Sequence, residues 1–157
     1  MAQLIGGFAF KGNEYTELGS RIIRISDISE ESFISKNVVR YPFSDKYKQY
    51  IIENGDILIA MTGGTVGKSL YVKKLPETNM LLNQRVAIVR VYCLTNKYIN
   101  CVLKSNYILD IIKHSKNSTN DNISMADIYN FLIPLPPLKE QERIIQKIEL
   151  LFNKIKG

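Results

Sequence analysis

Apolar and polar positions alternate in short blocks along most of the chain, and only the C-terminal end carries a long helical stripe. Arg21-Ile22-Ile23-Arg24-Ile25 alternates as a strand does, with Asp27 and Ser29 ending it. Ser44 to Glu53 predicts a short helix, capped by Ser44 and stopped by Asn54-Gly55-Asp56. Ile57 to Met61 is a continuous apolar run, the pattern of a strand covered on both faces. A glycine-rich turn from Thr62 to Gly67 separates it from a strand over Ser69 to Val72. Arg85 to Tyr92, rich in β-branched residues, predicts another strand. Asn96 to Lys113 has helical periodicity throughout and predicts one helix. Residues 115–122 form a polar loop, Ser124 caps a short helix through Tyr129, and Phe131-Leu132-Ile133 predicts a strand ending at Pro134.

Pro136-Pro137 is a hard boundary, since two successive prolines continue neither a ladder nor a helix. It divides the chain into a domain over residues 1–134 and a segment over 135–157, which carries one amphipathic helix, Leu138 to Lys156. Written as heptads, Ile148 and Ile155 fall at a, Ile144 and Leu151 at d, and Leu138, Ile145 and Phe152 at e. That stripe is wider than a minimal coiled-coil seam. It suits packing on its own domain and reaching a partner equally well. The expected fold class is α/β (α+β): a mixed, mainly antiparallel sheet with flanking helices, plus the C-terminal coiled-coil-type helix.

With 157 residues, 45% hydrophobic and 23% charged, the composition is that of one ordinary globular domain. No apolar run is long enough to span a membrane, and Met1 to Gly7 has neither the basic nor the apolar part of a secretory signal, so the expected location is the cytoplasm. Asn117-Ser118-Thr119 and Asn122-Ile123-Ser124 match the glycosylation pattern, but in that compartment they are polar loop. Cys93 and Cys101 are too few for a disulfide framework or a four-cysteine metal site and read as core filler. No cofactor or metal is expected. His114, beside Lys113, suits a helix C-terminus.

The formal net charge is +6, and it is unevenly placed: residues 61–116 hold 9 basic and 2 acidic side chains. That block contains the two segments with the most pointed chemistry. Met61 to Ser69 resembles a nucleotide-phosphate loop, but the required first glycine falls on Thr62, and Ser69 onward is strand-like where that loop must open a helix. What remains is a tight turn whose glycines permit close backbone approach, with Thr62, Thr65 and Lys68 as donors. Asn83-Gln84-Arg85, expected where a strand begins, combines the side chains that best match base edges: Asn and Gln with adenine, Arg with guanine. Polar bracing of a neighbouring loop is the other use of such a triplet. Candidates for base contact or close backbone approach are Thr62, Gly63, Gly64, Thr65, Asn83, Gln84 and Arg85. Candidates for phosphate contact are Lys11, Lys46, Lys48, Lys68, Lys73 and Lys116. No catalytic constellation is visible, and no tetrapeptide of an adenine methyltransferase occurs.

The fragments occur in a telling order. Gly7-Phe8-Ala9-Phe10-Lys11, Ile22-Ile23-Arg24-Ile25, Asn54-Gly55-Asp56-Ile57-Leu58-Ile59, the Met61 to Lys68 turn, Leu82-Asn83-Gln84-Arg85-Val86, and Ile133-Pro134-Leu135-Pro136-Pro137-Leu138-Lys139-Glu140-Gln141-Glu142-Arg143-Ile144 follow one another. The series resembles the specificity subunit of type I restriction–modification systems over nearly the whole chain. The resemblance implies a non-catalytic target recognition domain that reads half of a bipartite duplex DNA sequence, followed by a helix that spaces two such domains and docks modification subunits. Those separate subunits bring S-adenosylmethionine and methylate adenine, and a restriction subunit brings cleavage. Family members usually carry two recognition domains and two helices; here there is one of each, with little sequence before Gly7. That length fits a natural half subunit, a truncated gene product or a piece of a longer chain; a half subunit is expected to pair as a homodimer through Ile144, Ile145, Ile148, Leu151, Phe152 and Ile155. The alternative is an assembly scaffold that docks a methyltransferase subunit and binds DNA weakly.

Overall fold

A computed structural model describes residues 2–29, 31–92, 95–115 and 122–156. Among them are seven strands, β1 (Ala2–Gly6), β2 (Ser20–Ile23), β3 (Val39–Tyr41), β4 (Ile57–Ala60), β5 (Ser69–Tyr71), β6 (Leu81–Leu82) and β7 (Val86–Val91). The α-helices are α1 (Asn96–Leu103), α2 (Asn106–Ser115), α3 (Met125–Tyr129) and α4 (Leu138–Lys156). One sheet has the order β1-β7-β4-β5 and is antiparallel throughout, while β3-β2-β6 form a second, mixed sheet in which β2 and β6 run parallel. This is the mixed, mainly antiparallel α/β class that the sequence predicts.

β4 explains how the layers stack. Its alternate side chains point to opposite faces. Ile57 and Ile59 join Ala87 and Val91 in a core shared with Ile99 and Leu103 of α1, Ile108 and Ile112 of α2, Ile128 of α3 and Ile145 of α4. Leu58 and Ala60 face the other way, into a core with Val86, Ile88, Leu70, Ile23, Leu82 and Met80 between the two sheets. Both faces of β4 are therefore dry, and an unbroken apolar run is what that position requires. A third cluster, on the far side of the small sheet, joins Ile22 and Leu81 to the rings of Phe10, Tyr41 and Tyr47.

Several elements differ from the sequence expectations. The single helix over 96–113 is two helices. The Ser105 hydroxyl donates to Val102 O at 2.6 Å and accepts from the Ile108 N–H at 3.5 Å, closing one helix and opening the next without disturbing the apolar periodicity. The helix over 44–53 is a 3-10 helix, Asp45–Tyr50, with no side-chain cap from Ser44. Strand β2 stops at Ile23 because Arg24 and Asp27 close a 3-10 turn with a two-pronged ion pair of 2.7 and 2.9 Å. Phe131–Ile133 has no ladder partner among the described residues: the Phe131 N–H donates to Ile128 O at 3.2 Å, and its side chain is buried in the helical core. The predicted helix after Ser124 is present, with a reciprocal capping box to Asp127, and α4 has the predicted bounds.

Only the first part of α4 packs on the domain. Ile145 is 6% exposed in the helical core, and Ile144 lies against it. Buried Gln141 ties the helix down at both sides: its Oε1 accepts from the Thr95 N–H at 3.2 Å and its Nε2 donates to Pro136 O at 2.8 Å. Lys97 of α1 meets Glu149 at 2.9 Å, and this contact holds the Lys97 ammonium above its ordinary pKa. Beyond it, Leu150, Leu151, Phe152 and Ile155 are 51% or more exposed. Ile144 and Ile145 of the predicted partner-facing stripe therefore serve the domain's own core, while Leu151, Phe152 and Ile155 are left uncovered.

Candidate nucleic-acid interface

Strand direction brings distant parts of the sequence to one edge. β1 leaves the large sheet at Gly6, opposite Ala87, and β4 leaves at Ala60, opposite Val86, where β7 begins. β2 and β6 end beside each other at Ile23 and Leu82. Three connections therefore meet: Gly7–Lys11, Met61–Lys68 and Asn83–Arg85.

Gly7 seals the first contact. A Cβ built there would lie 2.0 Å from the Asn83 carbonyl oxygen, so only glycine lets the chain pass this close. Phe8 then hydrogen-bonds into the neighbouring turn, its N–H donating to Leu82 O and its carbonyl accepting from the Gln84 N–H, both at 2.9 Å. Asn83-Gln84-Arg85 does not begin a strand. It forms the tight turn that precedes β7, closed by the Val86 N–H on Asn83 O at 3.0 Å. Asn83 is half-buried and its Oδ1 accepts from the Arg85 N–H at 3.4 Å, so it braces the turn, while Gln84 and Arg85 stand exposed at its apex.

The Met61–Lys68 connection is locked to the Asn83–Arg85 turn by the Met61 N–H on Arg85 O, at 3.0 Å. It turns through a 3-10 segment, Gly63–Thr65, with Gly63 at φ +70°, and among the described residues nothing lies within 4 Å of the Cβ position of either Gly63 or Gly64. Gly63 is half-buried and Gly64 exposed. Thr65 donates to Thr62 O at 3.4 Å, and the buried Thr62 hydroxyl has no hydrogen-bond partner among the described residues. Gly67 plays a different part: at φ +83°, it sits where a Cβ would come 2.8 Å from Ile112, which lets α2 pack on the loop. Ser69 opens strand β5 and not a helix, and its buried hydroxyl donates to Asn100 Oδ1 at 3.1 Å. The geometry of a nucleotide-phosphate loop is absent here.

The predicted lysines divide into groups. Lys68 lies in the second connection itself. Lys11, Lys46 and Lys48 surround the aromatic cluster reached through Phe8, whose ring centroid is 5.0 Å from that of Phe10 and 5.1 Å from that of Tyr47. Lys11 stands 3.5 Å from Glu14, Lys48 pairs with Asp45 at 3.2 Å, and the Lys46 ammonium lies 4.8 Å over the Tyr47 ring. Lys73, by contrast, is away from this edge, beyond the other end of β5, in a groove with Lys97 and Lys104. Lys116 and Cys93 lie outside the described residues, as does most of the polar loop. Cys101 is half-buried against the helical core, and burial raises its thiol pKa, which suits filler. His114 Nδ1 lies 2.6 Å from Asp110 O in the last turn of α2.

Lys104 is the residue that sequence reasoning passed over. Treated as part of one continuous helix, it has no reason to approach the glycine loop. The break at Ser105 sets it beside Gly64, Thr65 and Lys68. Among the described residues, no group of three or more His, Cys, Asp or Glu side chains could hold a metal ion, and no helix is long and apolar enough to cross a membrane.

The edge is built from three loops, with Gln84 and Arg85 exposed at its apex and packed strands behind it. The sequence pattern of the type I restriction modification DNA specificity domain matches residues 1–156, and the chain belongs to that family. It is 30% identical over 162 residues to the type I restriction enzyme EcoAI specificity subunit of Escherichia coli, covering 97% of this chain and 27% of that protein. It is 24% identical over 156 residues to the MjaVIII specificity subunit of Methanocaldococcus jannaschii, covering 95% of this chain and 37% of that protein. In three dimensions it resembles the HsdS subunit from Thermoanaerobacter tengcongensis, with a TM-score of 0.74 at 19% identity over 99% of this chain and 36% of that one. The S subunit from M. genitalium is similar at a TM-score of 0.62 and 16% identity, over 98% of this chain and 37% of that one. The chain thus spans about a third or less of the length of these relatives.

Proposed function

We propose that this chain is a non-catalytic target recognition domain, residues 1–134, that reads half of a bipartite duplex DNA sequence for a type I restriction–modification complex. The observation that carries the reading is the shared edge: Gln84 and Arg85 stand exposed on a turn whose position is fixed by backbone bonds to Phe8 and Met61, beside Gly63 and Gly64. An arginine and a glutamine projecting from a braced turn suit hydrogen bonding to guanine and adenine edges in the major groove. Lys68, Lys11, Lys46 and Lys48 suit the flanking phosphates.

Binding selection from a randomised duplex pool tests it. Arg85→Ala costs about 1–3 kcal/mol on the preferred sequence and relaxes the choice at one position, whereas Lys68→Ala weakens all sequences alike and lowers the salt slope by about 1. An Arg85→Ala protein with unchanged preference refutes the assignment of the turn.

The segment over 135–157 acts in this reading as the arm that docks modification subunits and, through them, a restriction subunit. The uncovered side chains of Leu151, Phe152 and Ile155 support an isologous pairing of two copies, which would make the combined DNA site symmetric. Sedimentation at increasing concentration checks the pairing; a monomer at every concentration refutes it.

A further inference from the structure

We propose that phosphate contact does not stop at the recognition edge but continues down the α1–β5 side of the domain, along Lys68, Lys104, Lys97 and Lys73, which together hold the DNA flanking the half-site. This inference rests on the DNA reading above and adds a direction to it.

The argument begins at β4. Ala60 pairs with Val86 on one side and its N–H donates to Lys68 O at 2.9 Å on the other. Arg85 and Lys68 therefore stand two strand spacings apart, about 10 Å between backbones. Lys68 begins a line. It shares a hollow of about 240 Å³ with Lys104, Thr65 and Gly64. Lys104 also borders the next depression, a groove of about 430 Å³ between β5, α1 and α4, whose rim carries Lys97 and Lys73. The hollow and the groove thus join at Lys104.

The placement follows from the elements that carry the lysines. Lys97 stands in the first turn of α1 and Lys104 is its C-terminal cap, seven residues or two turns later, so they share a face about 10 Å apart. Lys68 and Lys73 stand before and after β5. α1 is held on β5 by the Ser69–Asn100 hydrogen bond, so the two rows run side by side. Two acidic residues, Glu31 and Glu149, also line the groove, and Glu149 is engaged by Lys97 at 2.9 Å. The line keeps a net positive charge. A duplex lying on the Gln84–Arg85 turn has to leave the edge on some side, and on this one lysines follow from the turn through the hollow into the groove, where they outnumber the two acidic residues. A run of cations suits a polyanionic backbone, which gains by neutralising its phosphates and releasing counterions.

The test compares the unaltered protein, the double variant Lys73→Gln/Lys104→Gln and the control Lys154→Gln, which removes one charge from the exposed end of α4. Affinity is measured across salt concentration on a long duplex of arbitrary sequence and on one cut to about one helical turn of roughly 10 base pairs, with thermal melts confirming that all three are folded. The expected result is a salt slope lower by up to about 1.8 for the double variant on the long duplex, with the difference lost on the short one and the control unchanged. A double variant with the wild-type slope on the long duplex overturns the track while leaving the recognition edge intact. So does an equal fall in the control, which reports net charge only. An unaltered slope accompanied by weaker capture of a modification subunit would assign the row to an acidic protein surface and also overturn it. If the unaltered protein binds neither duplex, the DNA reading itself falls.

Discussion

Asp56 offers a severe test of how the scaffold behind the recognition edge is held. Its side chain is 1% exposed, just ahead of β4, and it faces Arg90 of β7, which is 15% exposed. One carboxylate oxygen accepts from Arg90 Nε at 2.8 Å; the other accepts from Arg90 Nη2 at 2.8 Å and from the Glu53 N–H at 2.7 Å. Arg90 also reaches Ile51 O at 3.0 Å and Glu53 Oε1 at 2.7 Å. The hydrogen bonds that Arg90 donates to Asp56 are the chief reason that the guanidinium pKa is raised. Asp56→Asn keeps the volume but removes the charge and turns an amide NH₂ toward a donor. Three charge-assisted bonds at about 1.5–3 kcal/mol each set an upper bound of roughly 5–9 kcal/mol. Breaking a buried pair by removing one partner costs about 3–5 kcal/mol. Arg90 keeps Glu53 and Ile51 as partners, so the lower end, about 3 kcal/mol, is expected. For a chain of this size that is a fall in Tm of about 6–12 °C. Urea unfolding should show the midpoint displaced at constant m. The pair lies at the end of β4 remote from the Gln84–Arg85 turn, so the folded variant should bind DNA normally. A loss under about 1 kcal/mol would refute the reasoning. Replacing both partners by apolar residues of similar volume should recover most of the loss.

Two glycines should separate packing from contact: Gly7→Ala places a methyl 2.0 Å from the Asn83 carbonyl and should cost at least about 1–3 kcal/mol, whereas Gly64→Ala meets nothing and should melt like the wild type. Equal melts for the two would contradict the close approach at Gly7. The capping box of α3 carries a pH dependence. Hydrogen bonds from the Ser124 backbone and hydroxyl hold the Asp127 carboxyl below its ordinary pKa of 3.8. A group depressed in the folded state contributes above its unfolded pKa and loses that contribution as pH falls through the folded one. Ser124→Ala should therefore cost about 1 kcal/mol near neutrality, and the gap between the two proteins in urea titrations should narrow below about pH 4; a gap that widens on acidification would contradict the assignment.

Local patterns announced some elements and concealed others. α4 was legible because Pro136-Pro137 marks its start and its apolar stripe is long. β4 was legible because burial on both faces leaves an unbroken apolar run. The break between α1 and α2 was hidden, since Ser105 interrupts the backbone ladder while the apolar periodicity runs on through it. β6 is two residues long and exists only because β2, nearly sixty positions earlier, pairs with it; nothing local marks such a strand. The site followed the same division. Thr62–Thr65 and Gln84–Arg85 carried their own chemistry in the sequence. The meeting of these segments, the bracing role of Asn83 and the approach of Lys104 depend on pairings between remote segments. Lys73 shows the complementary case: its charge was legible, but not that the direction of β5 carries it away from the edge into the groove with Lys97 and Lys104.

Gln141 has a consequence for distance. By clamping the start of α4 to both Thr95 and the proline turn, it fixes the direction in which the helix leaves the domain. Ile155 lies fourteen residues further on, about 21 Å at the helical rise. A swing of about 10° at the clamp would carry that point sideways by about 4 Å, close to the roughly 3.4 Å rise of one base pair. With the packing of Ile145 and the Lys97–Glu149 contact beside it, this buried amide sets the angle at which the far end of α4 stands to the Gln84–Arg85 turn, and on the proposed DNA reading that angle matters to within about one step of the double helix.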